Sequence, residues 1–498
     1  YRAFYGADSL TQITIPASVV TIDYYAFAMC ENLETVIFAE GSRLTGVYEG
    51  AFYGCKALTD IVLPDSVVEI SDFAFYGCIS LTQLPVSEDN QLVGIYSYAF
   101  AYTGISELNL PETLVELGQY AFRGAKLTKV VIPDTNREQL IIGLGAFADC
   151  NDLVEITLPF IGASFEDDEI TWFGYIFGAG AYEANNTYVP DNLKAVTISE
   201  GITFVGEFAF YGIKTIEKIN IPHSVTMVYK NAFIGCDARY TFTNALNFEE
   251  GNSVYGDYFS EGLYGDIILN EGIKELGEVF SRTNITAVKL PESLNYLGYA
   301  FADCIYLKTI TIPASITTIG NNTFLNCINL TDVQFEDGSL LKTIGMDAFS
   351  GCSGLKNICL PSSITIIEDR AFNNCISLID VCFEEDSRLT EFGHSTFAGC
   401  VNLESIEIPT GVTRIDDYTF RGCDKIGNVF LHDMKIWATT QICSYFDRGV
   451  KIYLDGELIK NLIIPEGVST ISELAFAGKE YIESAQIASS VTTIEDYA

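Results

Sequence analysis

Apolar positions along this chain recur in one arrangement, which reads L-x-x-I-x-I-P-x-S-V-x-x-I-x-x-x-A-F-x-G-C. One copy runs from Leu58 through Ile61, Leu63, Pro64, Val67 and Ile70 to Ala74, Phe75 and Cys78; another runs from Leu307 through Pro313 to Phe324 and Cys327. The phenylalanine column continues through Phe4, Phe27, Phe52, Phe100, Phe122, Phe147, Phe210, Phe233, Phe280, Phe301, Phe349, Phe372, Phe397, Phe420 and Phe476, mostly in steps of 23 or 25. The L-x-x-I-x-I segment alternates and is rich in β-branched residues, so it predicts a short strand with one buried face. Proline follows at once. Eleven of the thirteen prolines stand at this place, where a residue that cannot donate to a ladder ends the strand and turns the chain. S-V-x-x-I predicts a second short extended segment. The remainder, x-x-x-A-F-x-G-C, is too brief for an ordinary helix and predicts a turn or single helical twist, closed by glycine, with the phenylalanine pointing inward.

A unit this small cannot bury its own apolar face, so copies must stack. The expected fold is a β-rich repeat solenoid of about 20 coils of 23–25 residues, running as one continuous domain over 1–498. Stacked at the inter-strand spacing of about 4.8 Å, these coils would make a rod or arc on the order of 100 Å long. The longer copies replace the proline corner by an acidic bend, as in Phe38–Leu44, Phe335–Leu341 and Phe383–Leu389, with Val86–Leu92 a looser case. These bends are expected to carry much of the charge on an exposed flank.

The pattern I-P-x-S-V-x-x-I-x-x-x-A-F-x-G-C resembles the repeat of BspA-like, treponemal-type leucine-rich-repeat proteins, and the resemblance covers nearly the whole chain. It implies a horseshoe or arc with a parallel sheet on the concave side, in a secreted or cell-surface protein of a microbe. The function it implies is adhesion, with a host matrix or cell-surface protein as partner. The asparagine ladder common in other leucine-rich repeats is absent, and proline stands in its place.

Charge narrows the partners. With 28 basic against 66 acidic side chains the net charge is −38, which repels nucleic acid and anionic lipid. No apolar run reaches the roughly 18 residues that span a bilayer. Of the fourteen cysteines, eleven lie three residues after a column phenylalanine, and are expected as buried, reduced thiols acting as small apolar residues with a weak donor. Their spacing does not suit zinc. Cys359 and Cys382 instead point outward on adjacent strands, the one plausible thiol pair, and are expected to remain unpaired because parallel neighbours rarely hold disulfide geometry. The three histidines, His223, His394 and His432, lie in separate copies and form no triad, so neither catalysis nor any cofactor or metal is expected.

Three stretches break the period, at 160–190, 237–264 and 424–457, and insertions in repeat proteins are candidate binding loops. The first holds the acidic run Glu166, Asp167, Asp168 and Glu169, expected as a solvated face, followed by Trp172, Tyr175 and Tyr182. The third holds Trp437, Tyr445 and Phe446, so both tryptophans fall in insertions, where aromatic side chains can anchor a partner or patch a missing coil. On the strands, alternation turns Thr309 and Thr311, then Asp332 and Gln334, to the outside. These strand positions and the aromatic residues Trp172, Tyr175, Tyr182, Trp437 and Tyr445 are the candidate contacts for a protein partner. A glycan held by the tryptophans, or a spacer role without a ligand, are the alternatives. Both ends of the sequence fall inside a coil without a polar cap, so the chain is expected to be a segment of a longer polypeptide.

Overall fold

The computed structural model describes residues 1–498 apart from 88–89, 166–168, 243–245, 249–252, 255, 257, 260, 417 and 440–448. The chain separates into two compact units, Tyr1–Asn244 and Ala245–Ala498, each a parallel-sheet solenoid. In the first unit, the longer strands form two ladders. Gln12–Ile15, Thr35–Phe38 and Asp60–Ile61 make one, and the strands from Glu107–Asn109 to Lys218–Asn220 make the other. In the second unit, Tyr264–Ile268, Asn284–Lys289, Thr309–Ile312 and Asp332–Phe335 pair in turn, and Asn357–Leu360 pairs with Asp380–Phe383. A second ladder of two-residue strands runs beside each set, for example from Glu275–Leu276 to Arg414–Ile415. Equivalent residues sit in register, as in Thr309↔Asp332 and Thr311↔Gln334.

The predicted alternation is present. Thr309–Ile312 runs exposed, buried, exposed, buried, and Asn357–Leu360 repeats this. The second extended segment is shorter than expected. Its first half is a turn closed by the proline carbonyl, which accepts the N–H three residues on, as in Val67 to Pro64 and Ile316 to Pro313. The motif serine locks that turn to the preceding coil: Ser66 Oγ donates to the Leu44 carbonyl at 2.6 Å, and Ser315 Oγ to that of Leu294 at 2.6 Å.

The phenylalanine turns are a third ladder, since Phe52 N–H donates to the Ala74 carbonyl and Phe324 N–H to that of Ala348. Their rings stack with centroids 5.0–6.0 Å apart from Phe4 to Phe147. In the second unit the stack runs from Phe259 to Phe420 at 5.0–5.7 Å. Beneath them lies the thiol column. Cys78 Sγ donates to the Phe52 carbonyl at 3.2 Å and Cys327 Sγ to that of Phe301 at 3.1 Å, one coil back in each case. All eleven column thiols are buried and unbridged, and burial pushes those of Cys55, Cys150, Cys236 and Cys304 up to about 12. Where threonine replaces cysteine, at Thr103 and Thr283, a hydroxyl donates to a phenylalanine carbonyl instead. Those threonines bond within their own coil, and the same place is held by buried Ala125 and Ile213 after Phe122 and Phe210, so the column selects burial and not sulfur as such.

The acidic bends do more than carry charge. Glu336 accepts the Ala314 N–H at 3.0 Å and Glu384 the Ser362 N–H at 2.9 Å, so each carboxylate satisfies a backbone donor in the corner one coil away. The looser bend Val86–Leu92 includes residues outside those described.

Candidate functional site

The longer-strand face of the second unit brings the strand candidates together. Thr309, Thr311 and Gln334 are exposed and Asp332 is half-buried; Gln334 Nε2 donates to Asp332 Oδ2 at 2.7 Å. The rows continue through Asn357 and Cys359 to Asp380 and Cys382. Here one expectation is overturned. Cys359 and Cys382 form a disulfide, because their in-register placement brings the Cα atoms to 4.5 Å, inside the range a bridge requires. The bond ties two successive coils on the outward face.

Farther along the same side, Phe430 and Tyr453 stack at 4.9 Å, both half-buried. Neither was singled out from the sequence, although alternation in Asn428–Leu431 and Lys451–Leu454 turns both outward. His432, one residue past its strand, bridges two carboxylates, with Nε2 3.1 Å from Glu407 Oε1 and Nδ1 3.1 Å from Asp455 Oδ1. Glu407 first, and Asp455 with it, hold its pKa above the usual imidazole value.

The first insertion rebuilds a missing coil. The 3-10 turn Phe173–Phe177 buries Phe173 and Phe177, and Phe173 N–H donates to the Ala209 carbonyl while Phe147 N–H donates to that of Ile176. Asn185, fully buried, ties the insertion down: its Oδ1 accepts the Gly174 N–H at 2.9 Å and its Nδ2 donates to the carbonyls of Phe208 and Tyr211. Trp172, Tyr175 and Tyr182 remain half-exposed beside it. Trp172 Nε1 donates to the Ala179 carbonyl, and Tyr182 stacks on Phe208.

Trp437 is a correction. It lies on the helix Met434–Thr439, is fully buried, and donates from Nε1 to the Ala475 carbonyl at 2.7 Å, so it fills the core and is not available to a partner. Tyr445 and Phe446 lie outside the described residues, as does most of the acidic run, of which Glu169 is exposed. Among the described residues no group of three or more His, Cys, Asp or Glu side chains is arranged to hold a metal ion, and no helix is long and apolar enough to cross a membrane.

A feature of the first unit was also missed. Pro85 arrives two residues earlier than Pro64 does in its copy, and a strand with proline there cannot complete its ladder. The two longer-strand ladders of that unit are therefore interrupted between Ile61 and Glu107. A polar notch of about 640 Å3 opens there, lined by Gln83, Asn90, Glu107, Asn109, Glu112 and Thr113 among others.

Parallel strands closed by proline corners and stacked phenylalanine turns define a leucine-rich-repeat solenoid. The family profile described as BspA type leucine rich repeat region matches residues 1–125, 115–167, 184–299, 297–427 and 449–498. The chain belongs to the BspA-type leucine-rich-repeat family. Among solved structures it is similar to a leucine-rich repeat protein of Bacteroides ovatus, at 22% identity over 86% of this chain and 93% of that one, with a TM-score of 0.39. A leucine rich cell surface protein of Faecalibacterium prausnitzii shares 20% identity over 75% of this chain and 79% of that one, with a TM-score of 0.24. The pneumococcal vaccine antigen PcpA shares 17% over 89% and 79%, with a TM-score of 0.28. No curated protein sequence matches the chain.

Proposed function

We propose that this chain is a non-catalytic binding module of a secreted or cell-surface protein, and that it meets a protein partner through the longer-strand face of its second unit. The observation that carries this reading is the pair of in-register outward rows, Thr309 to Asp332 and Thr311 to Gln334. They present short polar side chains on strands already fixed by parallel pairing, so a partner can dock without large ordering cost. Membership of the BspA-type family supports adhesion to a matrix or cell-surface protein. The test is saturable binding of the purified chain to a panel of immobilised extracellular-matrix proteins. Binding abolished by Thr311→Arg with Gln334→Arg is the expected result. Binding that survives both substitutions rules this face out.

A second reading rests on Trp172, Tyr175 and Tyr182, half-exposed on the first insertion, where Trp172 meets Tyr175 edge to face and Tyr182 packs on Phe208 and Tyr211. Loss of binding in Trp172→Ala, with the strand variants unaffected, would move the contact there. No binding to any matrix protein would favour a spacer role.

A further inference from the structure

Gly277, Gly298, Gly320 and Gly345 occupy the same place in four successive coils of the second unit, the residue after each two-residue strand. A Cβ on Gly320 or Gly345 would meet the backbone of the preceding coil at 2.8 Å, so glycine lets the coils approach closely here, and a groove of about 520 Å3 runs along this line, within the range of about 300–1,000 Å3 typical of ligand sites. In the next coil Glu368 stands where the glycines stood and closes one end. The four glycines span about 14 Å at the inter-coil spacing.

Two tyrosines, Tyr296 and Tyr299, line the groove, and the ring of Tyr296 lies against the glycine row. A Cβ on Gly298 would lie 2.5 Å from the Tyr296 hydroxyl oxygen and one on Gly320 would lie 2.7 Å from it, so the distal half of the ring is laid across both glycines. Tyr296 is only half-buried. Around it stand Thr318 and Thr343, the amide of Asn321 and the carboxylates of Glu278 and Glu368, with no Lys or Arg among the described residues of the lining.

We propose that this groove binds a linear neutral oligosaccharide, with one sugar stacked on Tyr296. A ring lying in a groove offers its face to the apolar C–H face of a pyranose, while amide, hydroxyl and carboxylate groups exchange hydrogen bonds with sugar hydroxyls. Charge decides among glycans: Glu278 and Glu368 repel sulfated and uronic chains, and the described residues of the lining hold no cation to compensate them. Repetition decides the shape, since a groove crossing successive coils of one backbone form fits a ligand that also repeats along its length. The groove is separate from the longer-strand face and takes a different class of ligand.

The test is calorimetric titration of the intact chain with linear hexaoses of β-1,4-linked glucose, N-acetylglucosamine and mannose, with a sulfated hexaose and an arginine-rich peptide as comparisons. At least one neutral hexaose should bind, with affinity lowered at least tenfold in Tyr296→Ala and severalfold in Asn321→Ala. Both variants must keep the parental melting temperature within a few degrees, and the ligand-induced chemical-shift changes should map to Thr318 and Thr343. Thr311→Arg with Gln334→Arg should leave glycan binding intact, which separates this site from the protein-binding face. The proposal is overturned if none of the neutral hexaoses binds, if Tyr296→Ala binds as tightly as the parent, or if only the sulfated hexaose or the peptide binds.

Discussion

Every column phenylalanine but Phe280 is flanked, two residues before and two after, by backbone in the left-handed region, and Phe280 has only the second of these, at Arg282. Phe100 lies between Tyr98 at φ 58° and Tyr102 at φ 57°, and Phe324 between Asn322 and Asn326, both at φ 56°. The second of these places is often glycine and was legible as the closure of the turn. The first is filled by tyrosine, phenylalanine, asparagine, aspartate, arginine, serine or leucine and only twice by glycine, so its composition does not announce a left-handed residue. Ser395, at φ 55°, tests the cost. Ser395→Val should be less stable than Ser395→Gly by about 1–2 kcal/mol in thermal or denaturant unfolding, because a β-branched residue is strained there. Titration offers a second test at this scale. The folded pKa of His432 is raised by Glu407 and Asp455, so its contribution to stability is fully present below the unfolded value of about 6.5 and is lost as pH rises through the folded pKa. Glu200 has the opposite sign. Hydrogen bonds from His223, then from backbone N–H groups, hold its carboxyl down to about 2, so its contribution is present above about 4.3 and is lost as pH falls toward about 2. Proton NMR titration, with melting curves of His432→Gln and Glu200→Gln, should return these two directions.

Within a coil, the strand, corner and turn were readable because each has a dedicated residue: alternating isoleucines, proline and phenylalanine. What escaped were contacts that depend on the neighbouring coil. The Cys359–Cys382 bond needed the register of two strands, and the Asn185 clamp needed the path of an insertion with no repeat of its own. Asn185→Ala leaves the Gly174 N–H without its acceptor in a buried site and should cost about 1–3 kcal/mol, measured by denaturant unfolding. The disulfide closes a loop of sequence separation 23, for which the chain-entropy account gives roughly 3 kcal/mol. Non-reducing peptide mapping should recover the linked pair, and Cys359→Ser with Cys382→Ser should lower the unfolding midpoint accordingly. Pro85 shows a readable signal that was passed over, since a proline two residues early in a copy announces a missing strand.

Across the chain, repetition made the solenoid class legible, because seventeen phenylalanines at regular steps admit one way to bury them. The binding surfaces were far less legible. Outward strand residues such as Thr311 follow from alternation alone, whereas the burial of Trp437 depends on a helix that brings it against Ala475. A rare aromatic residue in an insertion thus proved a poor guide to exposure. Each coil is stabilised chiefly by the coils on either side, so that a defect stays local. Phe324 is fully buried between Phe301 and Phe349, and Phe324→Ala should cost about 3–5 kcal/mol. Hydrogen exchange read by mass spectrometry on parent and Phe324→Ala chains tests this most directly. The expected result is faster exchange in residues 307–330 and the adjoining coils, with the unit Tyr1–Asn244 unchanged. A uniform loss of protection over both units would contradict shared local cores, and so would unchanged protection around residue 324.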